Sequence, residues 1–490
     1  MKANKFIYLI FFSVLIYVTC LLVLEHIKII TFLFPNEYRE GHIYSTTVLL
    51  LKGINPYSLD AYPVFCNSYG ILYNLVVLPF AYIFGNSLEL HRFVNAFFIL
   101  ATVFIVFRDF LHQKNFIVFN FIILLVLYAG LIFSSNSVVR PDGLGVFLYV
   151  LTIATPLRHK FSSKSILYSM LFAILAFYTK PYYFLGWIVI SIYAFFFVNL
   201  KKSIFINLLF SIIFIIIGYF VFKIFPLYFY ETIFIFSSFF GPISYSIKQI
   251  FDFSYLILPI SFFFFILIIY LKKVNLLKLL HNPYGFLSFV ILLFLIYPLG
   301  LNNGAYLTYH LQLLLPLICL FLLSDDDLIL NELKKNEILL VLMTFFLLKD
   351  VDLTPSFNNK DKSEWQDLSL YLKNKENVLG GPAIATLMLD ENKLIYDNGN
   401  TPFVIGFSNN TVSNYLFGMD SIIVNKKNNH FNNLGNKIRS KYFDAIILNP
   451  EVDGYYYQLI DTTNYIFKRN FQLLNPHLGT KWDVDVFEPK

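Results

Sequence analysis

Residues 134–147, SSNSVVRPDGLGVF, place an arginine, a proline and an aspartate between two apolar runs that cover residues 115–133 and 143–157. A helix needs about 20 apolar residues to cross the hydrocarbon core of a bilayer, and fewer where neighbours or bilayer thinning help. Two such runs joined by so short a polar stretch read as consecutive spans, with Arg140 and Asp142 at their shared rim. The whole chain agrees: of 490 residues 57% are hydrophobic, 19% aromatic and 14% charged, whereas a soluble domain is about 45–50% apolar and 25% charged. The fold class this predicts is an all-α polytopic membrane bundle.

The formal net charge of +6 does not mark a nucleic-acid partner, because most lysines and arginines sit in short clusters between apolar runs. Of the three cysteines, Cys20 and Cys319 fall inside apolar runs and Cys66 lies in a loop, so neither a structural disulfide nor a cysteine metal site is expected. The first 26 residues, MKANKFIYLIFFSVLIYVTCLLVLEH, combine a basic start with a run long enough to span and lack a small-residue cleavage site. They read as a retained first span.

Working outward gives about eleven candidate spans: 6–24, 92–107, 115–133, 143–157, 165–178, 182–199, 203–222, 254–271, 285–300, 305–323 and 337–349. Two further apolar stretches, 68–85 and 224–240, decide the sidedness. With both kept on one surface, Lys2 and Lys5, Arg108 and Lys114, Arg158 to Lys164, Lys201 and Lys202, Lys272 to Lys278, and Lys334 and Lys335 all share one side. The positive-inside rule makes that side cytoplasmic, so the two stretches become interfacial or re-entrant helices outside. The first loop (25–91), the Arg140 turn, the Lys180 turn, the loop 223–253 and the C-terminal segment then face outward. A multi-pass inner-membrane protein with an extracytoplasmic C-terminal domain follows.

That segment, 350–490, is richer in charge and asparagine than the membrane region, 1–349, and two of the three tryptophans lie in it. SEWQDLSLYLKNK reads as a helix capped by Ser363, and NVLGGP, KLIYDNG and FDAIILNP read as short strands. A small α/β domain is expected, without a phosphate-cradling glycine motif.

Ionisable residues at bilayer depth are costly and usually have a partner or a task. Asp142 in the first turn after Pro141 suits a helix N-terminus, or a substrate contact. Arg140 carries the wrong charge for that end, and a guanidinium there can grip a phosphate with two hydrogen bonds. Lys180, in FYTKPYYF, is either a cation at a helix C-terminus or a phosphate ligand. In the first loop, NEYREGHIYSTTVLLLKGINPYSLD offers Glu40 and Glu37 as carboxylate bases. Near them stand His42, His91 and Arg92, without metal-ligand spacing. Tyr309 and His310, in NNGAYLTYHLQLLLP, read as an interfacial anchor and a ligand contact.

An outward cluster of one carboxylate, several cations and aromatic rings fits transfer of a group from a lipid phosphate, the carrier a membrane protein can bind laterally. The carboxylate deprotonates an acceptor hydroxyl while Arg140 and Lys180 stabilise the departing phosphate. A divalent cation could share that task, although one or two carboxylates are few ligands for it.

These motifs, in their order, resemble the GT-C superfamily of polytopic glycosyltransferases, most closely bacterial relatives of protein O-mannosyltransferases and aminoarabinose transferases. The likeness covers most of the membrane part: Glu40, LLLKGINPYS with Tyr57, then Tyr69, Pro79, Gly85 and Arg92, VVRPDGLGVF, FYTKP, and a Tyr-His ahead of Pro316. The resemblance implies a polyprenyl-phosphate sugar donor, a glycan, lipid or protein acceptor, membrane lipid as surroundings, and inversion at the sugar. It implies Glu40 or Glu37 as base, Arg140, Lys180 and His310 at the donor phosphate, and Asp142, Tyr57, Tyr69, Arg92 and Tyr309 at the substrates. The family more often has aspartate at Glu40, and FCNSYG (65–70) replaces its His-Pro-Pro motif. A polysaccharide polymerase or ligase would instead use the loop with Lys223, Glu231, Lys248 and Asp252. A transporter would set its charges at the midplane of repeated halves.

Overall fold

The computed structural model describes residues 2–36, 39–108, 117–135, 138–234, 247–248, 251, 282–294, 307–323, 359–389, 395–396, 420–450, 454–460, 463–475 and 480–490. The membrane-type part contains α1 (Lys2–Thr31), α2 (Glu40–Leu51), α3 (Leu72–Phe84), α4 (Leu88–Arg108), α5 (Ile117–Ser135), α6 (Asp142–Arg158) and α7 (Ser163–Thr179). After a 3-10 turn at Pro181–Phe184 come α8 (Leu185–Phe197), α9 (Leu200–Ile224), a π-helical turn at Tyr230–Phe234, α10 (Pro283–Phe294) and α11 (Leu307–Leu323).

Local chemistry sets several boundaries. Ser162 and Asn199 cap α7 and α9 by accepting from the amides of Ser165 and Lys202. Gly53 and Gly85, with φ of 69° and 84°, turn the chain after α2 and α3. Phe12–Thr31, Leu88–Arg108 and Leu200–Ile224 are, among the described residues, the helices long and apolar enough to cross a membrane. α3 has 13 residues, about 20 Å at 1.5 Å per residue, short of a hydrocarbon core of about 30 Å. The candidate spans at 254–271 and 337–349 lie outside the described residues, and so does the boundary expected near 350.

Exposure on these helices is apolar. On α4, Phe93, Phe97, Leu100 and Phe104 form one outward stripe, and on α9 Ile204, Leu208, Ile212 and Ile215 do the same. In water such stripes would be aggregation surfaces; in a bilayer they face solvent of their own kind. Inward, α6 is the central helix, packed against α4, α7 and α8 with Tyr149, Val150 and Ile153 fully buried.

The C-terminal part comprises α12 (Asn359–Lys373), β1 (Val378–Gly380), α13 (Pro382–Leu389), β2 (Ile395–Tyr396), α14 (Asp420–Arg439), β3 (Ala445–Leu448), α15 (Gly454–Tyr457), β4 (Tyr465–Asn475) and β5 (Thr480–Pro489). The sheet order is β2-β1-β3-β5-β4, with β1 parallel to β2 and β3, and β5 antiparallel to β3 and β4. The strands expected in NVLGGP, KLIYDNG and FDAIILNP are β1, β2 and β3. The helix expected to start at Ser363 starts at Asn359 instead, so Ser363 is interior and does not cap it.

This α/β unit rests on the bundle. α13 packs along α2, and the Trp365 ring stacks on Phe34 at 5.8 Å and 9°. Lys426 Nζ donates to the Leu59 carbonyl at 2.5 Å and to Asp60 at 3.2 Å. The unit therefore covers the end of the bundle where the first loop lies.

Candidate active site

The segment ahead of α6 is clamped from two sides. Asn95 on α4 donates to the Val138 carbonyl at 2.9 Å and accepts from the Gly143 amide at 2.8 Å. A Cβ at Gly143 would sit 2.2 Å from the Asn95 oxygen, so glycine is required for this approach. From the other side the Val139 amide donates to Glu40 Oε1 at 2.8 Å.

Thus held, Asp142 gathers the site. Its Oδ1 accepts from Lys180 Nζ at 2.9 Å, Tyr183 at 3.0 Å and Tyr182 at 3.1 Å. Its Oδ2 has no hydrogen-bond partner, and Arg140 Nη1 lies 3.9 Å from it. The carboxylate, 0% exposed, stands between two cations that are themselves almost wholly buried. Tyr182 and Tyr183 also reach Gln312 Oε1, at 2.7 and 2.6 Å. Each hydroxyl has one proton for two acceptors; with the Gln312 amide turned to donate, both hydroxyls serve Asp142. Gly145 makes this possible, since a Cβ there would lie 2.0 Å from the Tyr183 ring.

Lys180 is placed by the end of α7, its extended backbone still donating to the Ala176 carbonyl at 3.0 Å. Its ammonium lies 4.8 Å from the Tyr182 ring centroid and 5.2 Å from that of Tyr69. Tyr69 comes from the first loop, which touches α7 through Gly70: its amide donates to the Thr179 carbonyl at 3.1 Å, and a Cβ there would lie 2.0 Å from the Tyr178 oxygen. Arg140, Asp142, Lys180 and Tyr69, far apart in sequence, are thus one cluster.

Glu40 belongs to a second cluster. Its Oε1 accepts from Arg92 Nε at 2.9 Å and its Oε2 from Arg92 Nη2 at 2.7 Å and the Asn36 amide at 2.6 Å, in addition to the Val139 amide on Oε1. Arg92 also donates to the carbonyls of Phe32 and Phe34. Both side chains are 0% exposed. Glu40, expected as the catalytic base, has both oxygens occupied by donors. Arg92, expected at the substrate, has its nitrogens committed to Glu40 and the chain turn at 32–34. Tyr57, likewise expected there, is fully buried and donates its hydroxyl to the Tyr69 carbonyl at 2.5 Å.

Glu37 lies outside the described residues. Tyr309 and His310 are in the first turn of α11, and their side chains are outside them too. Gln312, two residues on, reaches the cluster and was not anticipated; a lone amide inside an apolar run was its signal. Tyr182, Tyr183 and Asn95 were also missed. Among the described residues no three His, Cys, Asp or Glu side chains gather as metal ligands. Asp142, already engaged by an ammonium and two hydroxyls, is a poor donor set for a divalent ion.

An apolar cleft of about 880 Å³ runs between α8 and α9, lined by Phe184, Trp187, Ser191, Phe195, Asn207 and Phe214 among others and sharing no residue with the cluster. One end begins at Phe184, the residue after Tyr183. The architecture now has both its parts: a central α6 with a buried ionic cluster at its N-terminus, and an α/β unit over the same end.

The fold resembles that of ArnT. The crystal structure of ArnT from Cupriavidus metallidurans in the apo state superposes with a TM-score of 0.50 over 99% of this chain and 98% of that one, at 10% sequence identity. The structure of the same protein bound to undecaprenyl phosphate gives 0.48 over 97% of each chain, also at 10% identity. No family model matches the sequence, and no curated protein does. The coverage extends the likeness to ArnT over the membrane-type bundle and the C-terminal α/β unit together.

Proposed function

We propose that the protein is a glycosyltransferase that moves a sugar from a polyprenyl-phosphate carrier to a glycan, lipid or protein acceptor at the outer face of the membrane. The observation that carries this reading is the pair of cations, Arg140 and Lys180, gathered by Asp142 at the N-terminus of α6. A guanidinium, an ammonium and the positive end of a helix suit a phosphate. The positive-inside pattern over about eleven spans puts this end outside.

In the reaction the acceptor oxygen attacks the anomeric carbon from the face opposite the phosphate. The bond from that carbon to the phosphate oxygen breaks, and the phosphate leaves with the electron pair, stabilised by Arg140 and Lys180. The acceptor proton goes to a carboxylate. Glu40 could accept it only by releasing a donor, so we assign the role to Asp142 Oδ2, with Glu37 as the alternative from the first loop. Glu40 and Arg92 then hold the Val139 end of the segment in place. His310 and Tyr309, which precede Gln312 in α11, keep the phosphate and substrate roles that the resemblance implies.

The test is consumption of polyprenyl-phosphate sugars, offered as a panel to membranes containing the protein. One donor should be consumed, and Arg140→Ala should slow its use about 100-fold, the loss expected when an oxyanion donor is removed. A protein that uses only diphosphate-linked oligosaccharides would be a polymerase or ligase, and the proposal would fall.

A further inference from the structure

The turn after α9 holds a carboxylate that the transfer reaction leaves unused. Glu231 lies in the π-helical turn Tyr230–Phe234, a geometry concentrated at functional sites, and is 0% exposed. Its Oε2 accepts from the Asn67 amide at 2.9 Å, and its Oε1 has no hydrogen-bond partner. Around it stand the hydroxyls of Tyr57 and Tyr62 and the thiol of Cys66 from the first loop, with Tyr228 and Tyr230 on its own segment. None of these is a cation.

From Asn67 the contacts lead straight to the cluster. Asn67 Oδ1 accepts from the Tyr69 amide at 3.0 Å, and the Tyr69 ring lies on Lys180. The same loop is strapped to the end of α9 twice more. The Leu227 amide donates to the Tyr57 carbonyl at 2.9 Å, and Asn55 Nδ2 to the Ile224 carbonyl at 2.6 Å.

We infer that Glu231 is a positioning residue that, by gripping the Asn67 amide, holds the Tyr69 ring against the Lys180 ammonium. It does so as a neutral acid. An anion with one unpaired oxygen, fully buried and with no cation around it among the described residues, is expensive, whereas a carboxylic acid accepts the same amide bond at far lower cost. Burial accordingly pushes the Glu231 carboxyl well above the usual carboxylate range. Because the folded chain holds this proton where the unfolded chain has lost it, the grip is complete at low pH. It weakens as pH rises from the ordinary carboxylate range through the raised value.

The functional half of this inference rests on the proposed transfer reaction; the structural half does not. The experiment compares wild type, Glu231→Ala and Glu231→Gln as full-length protein, by hydrogen exchange over residues 64–72 and by donor KM and kcat from pH 6 to 9. Glu231→Ala should exchange faster there and raise donor KM about tenfold, the worth of one lost hydrogen bond at a buried site, with kcat little changed. Glu231→Gln, which keeps the acceptor without the charge, should restore both and should lack the alkaline rise in KM expected of wild type. A Gln variant that behaves like Ala, or an Ala variant with wild-type exchange, overturns the inference. If wild type consumes no polyprenyl-phosphate sugar, the transfer reading fails, while the exchange rates still decide whether the strut exists.

Discussion

Glu40 and Asp142 are both buried carboxylates, separated along the chain yet joined through one short segment, and they are built in opposite ways. Glu40 spends both oxygens on a bidentate arginine and two backbone amides. Asp142 crowds three donors onto one oxygen and leaves the other without a hydrogen bond. A saturated carboxylate fixes backbone, because every lone pair that could meet a substrate is used. A half-saturated one stores a polar atom that a ligand can satisfy, which is why orphaned buried groups concentrate at functional sites. On the proposed reading the first pair is a clamp and the second the reactive centre.

The sharpest break of this comparison is at the clamp. Arg92→Ala leaves Glu40 as an uncompensated buried charge, and such losses destabilise by about 3–5 kcal/mol. The melting temperature of the purified protein should fall by many degrees, and transfer should fall with it. Glu40→Gln strands Arg92 in the same way. Should Glu40→Gln keep its melting temperature and lose only turnover, Glu40 is the base and the assignment of roles reverses.

At the other carboxylate turnover should suffer more than stability. Asp142→Asn keeps the shape and the tyrosine hydrogen bonds at the α6 N-terminus but removes the counter-charge of Lys180 and Arg140, so a moderate loss of stability accompanies it. Removing a general base lowers turnover by about 10²–10⁴-fold. The measurement is kcat with the sugar donor alongside thermal unfolding of the same sample. A variant that unfolds as readily as Arg92→Ala would make Asp142 a second clamp.

How much of this was legible follows from the range of each signal. The membrane bundle was, because hydrophobic runs are local. The cluster of Arg140, Asp142 and Lys180 was also suggested, because charges at the ends of apolar runs stand out in composition. Short strands β1 to β3 could be read from brief apolar runs ended by turn residues. The β4–β5 hairpin was not, although Trp482, Val484 and Val486 hint at alternation. Nor was the Glu40–Arg92 pair: both residues were singled out, but their 52-residue separation hides that each satisfies the other. Gln312 stood out only as a lone amide in an apolar run, and its partner was hidden for the same reason, since only the packing of α11 on α5 and α6 brings it to Tyr183. Pairing across the chain is a tertiary fact, and single-sequence patterns report exposure and period but not partners.

The finest test lies inside the reactive centre. Tyr182 contributes two things there: a ring beneath the Lys180 ammonium at 4.8 Å, and a hydroxyl 3.1 Å from Asp142 Oδ1. Tyr182→Phe keeps the ring and removes the hydroxyl, so the cation–π contact survives and one of three donors is lost. Because Lys180 and Tyr183 still hold the oxygen, the effect should be about 1 kcal/mol, roughly fivefold in kcat/KM, with no measurable loss of fold. That figure lies well below the loss at Asp142 itself, as it must if the hydroxyl only orients the carboxylate. A loss as large as that of Asp142→Asn would instead place the Tyr182 hydroxyl among the groups that touch the reacting atoms, and the division between an orienting shell and a single reactive oxygen would have to be redrawn.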